Sequence, residues 1–78
     1  MRVIRNDKFL PVEREDGTLY GYQSCIKVDV EGYVFEAIRT MPVPEYEQTF
    51  PVLRDFIHDS LRTDIMTQIR KKLFEGVV

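Results

Sequence analysis

The sequence predicts an α+β fold: an antiparallel sheet of three to four strands, a β-meander, followed by one long C-terminal amphipathic helix packed on one face. Three observations predict it. Leu19 to Val30 alternates with period two, the signature of a strand with one buried face. Two glycine-containing turn signals, Asp16-Gly17 and Glu31-Gly32, separate the extended segments. From Phe50 to Glu75, apolar residues recur at helical spacing between a start and a stop signal. Residues 1–78 are read as one domain, with the meander over 1–41, a proline-containing connector over 42–49 and the helix over 50–75.

Taken in order, Lys8 to Glu13 is the first predicted strand, and Pro11 assigns it to an edge. Val3 and Ile4 extend it after a turn at Asn6-Asp7. Asp16-Gly17 sits in a polar stretch between apolar segments, and both residues tolerate the positive φ of a hairpin turn. In the second strand Tyr20, Tyr22, Ile26, Val28 and Val30 share one face. Leu19, Gly21, Gln23, Cys25, Lys27 and Asp29 share the other. Glu31-Gly32 is the weaker turn signal, since Glu tolerates positive φ less well than Asn or Asp. Tyr33 to Met41 is the third strand. Its two faces are similarly apolar, which leaves its orientation open.

Pro42 and Pro44 argue against regular helix or central strand in the connector, where a short turn is expected at Glu45-Tyr46-Glu47. For the long helix, Thr49 is the expected N-cap and Pro51 falls in the first turn. Leu53, Phe56, Ile57, Leu61, Ile65, Ile69 and Leu73 form the apolar stripe. Arg70, Lys71 and Lys72 suit the negative end of the helix dipole, and Gly76 is the expected C′ residue. A four-residue step overshoots the helical turn by about 40°, so the stripe winds around the helix. The winding predicts that the C-terminal half meets a second body. The expected interface comprises Ile65, Met66, Ile69, Leu73 and Phe74, with Val34 and Ile38 of the third strand. The alternatives are a sheet that twists along with the stripe, or Val77 and Val78 folding back over it.

Composition narrows the function classes. A chain of 78 residues has a thin core, and domains of this size often gain stability from a disulfide, a metal or a partner subunit. One cysteine excludes an intrachain disulfide, and one histidine excludes a Cys/His metal cage within the chain. A homo-oligomer, in the simplest case a dimer, is therefore expected, and no cofactor. The net charge is −2 and neither half carries a strong sign, which argues against a phosphate-binding field. No apolar run approaches the roughly 20 residues of a membrane span, and the N-terminus lacks an apolar signal region. An unpaired cysteine fits a reducing, cytoplasmic compartment.

No constellation carries chemistry strongly. Asp55, His58 and Asp59 share a helix face but have no further ligand at metal spacing, so a solvated face is expected. Cys25 has only Lys27 as a nearby cation and reads as a small buried hydrophobe. Ser24 and Ser60 lie outside any nucleophile elbow, and the four glycines form no phosphate cradle. The pairs Glu13/Glu15 and Glu45/Glu47 fall in predicted loops and read as solubilising. Gly32-Tyr33-Val34-Phe35 resembles the aromatic strand of RNA-recognition modules. However, Glu31 and Glu36 flank it, and the second helix of that fold is missing.

The function expected from the sequence is a small non-enzymatic protein–protein interaction module that self-associates and also docks onto a larger protein. Such chains serve as accessory or inhibitory proteins, including phage-encoded ones. The alternative is a nucleic-acid-binding domain using Arg54, Arg62, Arg70, Lys71 and Lys72, with Arg2, Arg5 and Lys8 nearby. On a helical wheel the five helix cations scatter instead of forming a stripe.

Overall fold

In a computed structural model that describes residues 1–74, three strands precede two helices: β1 (Arg2–Glu13), β2 (Leu19–Val30), β3 (Tyr33–Pro42), α1 (Val43–Gln48) and α2 (Pro51–Leu73). The strands form an antiparallel meander in the order β1-β2-β3, and α2 packs on it. Both turns form where the glycines predict. Gly17 adopts φ +87°, and Asp16 Oδ1 accepts from the Thr18 amide and hydroxyl. Those two donors hold the Asp16 carboxyl below its usual pKa. At the second turn both Glu31 (φ +52°) and Gly32 (φ +86°) take positive φ, and the Asp29 side chain accepts from the Gly32 amide.

The expected turn at Asn6-Asp7 does not occur. β1 runs unbroken through it, and the irregularity takes the form of a bulge between Asp7 and Leu10. Phe9 sits in the bulge with φ +53°, which is unusual for a residue bearing a Cβ. Ser24, fully buried opposite, accepts the Phe9 amide at 3.1 Å. The bulge thereby turns the Phe9 ring inward, against Tyr46 at 5.6 Å.

The orientation of β3, open in the sequence, follows from its pairing with β2. Ile26 faces Ala37 and Val28 faces Phe35, so Phe35 and Ala37 point toward α2, while Val34, Glu36 and Ile38 point away. The core gathers Ile26, Val28, Phe35 and Ala37 from the sheet with Leu61, Ile65 and Ile69 from α2. Val30 and Leu73 close its edge. Each buried aliphatic side chain contributes roughly 1.5–3 kcal/mol against exposure.

Two further expectations at the connector are corrected. Pro42 and Pro44 do not exclude a helix; they start one, because both occupy N-terminal positions where no helical N–H is needed. Thr49 caps the end of α1, not the start of α2: its amide and its hydroxyl both donate to Tyr46 O. Arg54 adds a third donor to that carbonyl at 3.0 Å and lies 4.0 Å above the Tyr46 ring, which itself stacks on Tyr22 at 4.0 Å. This Arg54–Tyr46–Tyr22 stack anchors a six-residue helix that buries no residue fully. At the other end, the expected continuation of α2 to Glu75 with Gly76 as C′ residue lies outside the described residues.

α1 and α2 lie on the same face of the sheet. The radius of gyration is 14.7 Å, against about 11.5 Å for a compact chain of this length. The elongated shape, 46 × 27 × 19 Å, accounts for the excess.

Candidate interaction surfaces

The winding stripe of α2 does not lie open along the C-terminal half. His58, Leu61, Ile65 and Ile69 are buried and Leu73 is half-buried. Ile65 and Ile69, expected at an interface, thus belong to this chain's own core. Sheet residues Ile26, Val28, Phe35 and Ala37 cover the stripe from Leu61 to Ile69. Met66 and Phe74 are exposed, as are Val34 and Ile38 on the uncovered face.

The larger apolar patch lies at the start of α2, where the sequence did not direct attention. Phe50 is 76% exposed, Val52 65%, Leu53 45% and Phe56 68%. Their three- and four-residue spacings bring them together on the helix surface. Pro51 starts α2 directly after Phe50, and the fully buried residues of α2 begin only at His58. The first turns of α2 therefore project beyond the core.

The uncovered face of the sheet is laced with charge pairs: Arg2–Asp29, Arg5–Asp7 and Lys27–Glu36. Gln23 bonds Thr40 at 3.0 Å on the same face. Leu10, Val34 and Ile38 are its exposed apolar members. Cys25 lies among them, paired with Asp7 and Ile38, yet is buried. Burial raises its thiol pKa, which leaves it a poor nucleophile.

Between β1 and α2 runs an apolar groove of about 320 Å³, lined by Met1, Val3, Val28, Ile65 and Met66, with Asn6 and Arg62 at its polar end. Next to it, His58 Nε2 meets Asn6 Oδ1 at 2.9 Å. Asn6 Oδ1 can only accept, so Nε2 carries the proton, and the buried Nδ1 has no partner among the described residues. Asp55, expected beside His58, instead pairs with Lys8 of β1, and Asp59 is exposed. Among the described residues, no three His, Cys, Asp or Glu side chains gather to hold a metal. Glu45 pairs with Arg39 at 3.1 Å, while Glu47 is exposed on α1.

His58 supplies a pH dependence. Desolvation chiefly lowers its pKa below the ordinary 6.5; Lys8 and Arg62 lower it further, and Asp59 and Asp55 oppose them. The folded state therefore prefers the neutral ring, while the unfolded chain protonates near 6.5. Stability is complete above that value and is lost as pH falls from it toward the depressed folded-state value. Urea unfolding of the wild type at neutral and mildly acidic pH, compared with His58→Gln, should show a loss on acidification that the variant lacks. Equal losses in both would remove His58 as the cause.

Of the five helix cations in the nucleic-acid reading, Arg54 is engaged by α1, and Lys72 lies 5.4 Å from the Tyr33 ring centroid. Among the described residues, no helix is long and apolar enough to cross a membrane. No family model, curated protein or solved structure matches the chain.

Proposed function

We propose that this chain is a non-catalytic protein-binding module that self-associates and docks onto a larger protein, acting as an accessory or inhibitory factor in a reducing cytoplasm. The observation that carries this reading is the apolar patch of Phe50, Val52, Leu53 and Phe56. Four large apolar side chains exposed within seven residues exceed the scattered apolar exposure expected of a monomer's surface. The acidic side chains Glu47 and Asp59 flank the patch in sequence and Asp55 lies within it, giving it polar neighbours of the kind binding surfaces carry.

The test pairs the wild type with Leu53→Ser/Phe56→Ser. Neither residue is buried, so the double variant should keep its fold and thermal midpoint within a few degrees. Immobilised wild type should retain a defined protein from source lysate that the variant does not, with the match confirmed by binding of the purified pair. Light scattering on serial dilution should show the wild type above its monomer mass of 9.2 kDa. A wild type that is monomeric throughout and retains nothing that the variant loses would end the proposal.

A further inference from the structure

The groove between β1 and α2 has two unlike parts. Its floor is Val28 and Ile65, each 3% exposed, and its walls are Met1, Val3 and Met66, each more than half exposed. Its polar end holds Asn6 and Arg62. With a volume of about 320 Å³, it lies at the small end of ligand pockets, which run from about 300 to 1,000 Å³.

The polar end is a set of donors. Buried His58 donates from Nε2 to Asn6 Oδ1 at 2.9 Å. That bond fixes the Asn6 amide and leaves its two N–H donors to offer. Arg62 is exposed and forms no ion pair among the described residues. Lys8, the other cation that acts on His58, is taken by Asp55. Asp59, one turn before Arg62 on α2, does not line the groove. The lining therefore carries one unpaired cation and no acid.

The apolar part selects what lies along it. Its side chains carry no N–H or O–H donor, and thioether sulfur is their only acceptor, a weak one. A peptide laid there would set an amide at every residue against partners that cannot bond it, which is unfavourable. A hydrocarbon chain has no such groups, and it would cover Val3 and Met66 from water. Two of the chain's three methionines stand in these walls, and their unbranched side chains adapt readily to the shape of a guest.

We propose that this groove binds an unbranched aliphatic monocarboxylate. The hydrocarbon lies between Val3 and Met66 over Val28 and Ile65, and the carboxylate sits on Arg62 and the Asn6 amide. The site is separate from the patch of Phe50 to Phe56 and needs no protein partner.

Charge selects the head group. A guanidinium holds a planar carboxylate through two parallel hydrogen bonds, and its single positive charge matches a single negative one. A phosphate monoester brings nearly two negative charges to one cation. An esterified chain brings none, and an amine meets Arg62 with like sign.

The probe is decanoate, titrated below its micelle concentration and followed by two-dimensional amide spectra. It should bind saturably, with the largest shifts at Val3, Asn6, Val28, Arg62, Ile65 and Met66. Arg62→Gln changes an exposed residue, so it should fold, and it should bind decanoate at least about tenfold more weakly. Decanol should bind the wild type more weakly than decanoate does, and equally well in Arg62→Gln. Met66→Asp sets a carboxylate in the wall and should abolish saturable binding. If Arg62→Gln fails to fold, the comparison of decanoate with decanol on the wild type still decides the head group. The proposal is overturned by any of four results: no saturable binding of decanoate, equal affinity for decanoate and decanol, undiminished binding in either folded variant, or shifts centred on Phe50 to Phe56.

Discussion

Gly21→Ala should unfold the protein, or lower its stability by at least about 3 kcal/mol, in urea titrations followed by circular dichroism. A Cβ at Gly21 would sit 2.1 Å from the carbonyl oxygen of Met41, and 2.8 Å from both the Met41 carbonyl carbon and the Pro42 Cα. All three atoms are backbone, so no side chain can swing aside. Gly21 pairs with Pro42 where β3 ends and α1 begins, and only a bare Cα lets the two segments approach so closely. Accommodating a methyl group means moving the end of β3, and with it Met41, which is fully buried. A chain of this size has about 4–12 kcal/mol of total stability, so the loss is a large share of it. A thermal midpoint within a few degrees of wild type would show that β3 can shift freely there.

Ile69→Asp should give an unfolded chain, not a soluble folded monomer. Ile69 is 7% exposed and lies in the cluster with Phe35, Ala37 and Ile65. A carboxylate there loses its hydration and gains no cation, at a cost above about 3 kcal/mol. The control is Met66→Asp, which alters an exposed member of the same predicted interface and should fold as wild type. Two-dimensional amide spectra of both variants separate the cases. A dispersed spectrum for Ile69→Asp would return this residue to the surface and undo the placement of the core.

The contrast between Ile69 and Met66 also marks how far the sequence could be read. Periodicity identified α2 and most of the residues on its stripe, because burial repeats with the helix. It could not say how far the sheet would follow the stripe, since strand twist is a property of the assembled layer. Period two located β2, and the glycines located both hairpins, since positive φ restricts residue type locally. The bulge at Phe9 left no such mark: Phe is a poor residue for positive φ, and only Ser24, fifteen positions away, makes the conformation affordable. The prolines of α1 were legible as a break but not as a start, because the same missing N–H serves both. The alternation of β3 left its inward face open, because both faces are apolar, and the exposure of Val34 and Ile38 follows only from the pairing with β2. The patch from Phe50 to Phe56 was hidden because Leu53 and Phe56 fit the same stripe as the core residues. Gly21 could not be read at all, since its constraint comes from a strand twenty residues downstream.

The bulged β1 has a consequence for growth of the sheet. A strand that joins β3 finds a straight ladder, whereas one that approaches β1 meets three breaks in register and a proline. Sheet extension can therefore proceed from one side only. A strand added at β3 would leave the blunted β1 at the other margin. Growth in both directions, which a fibril needs, is denied to a sheet with a single regular edge.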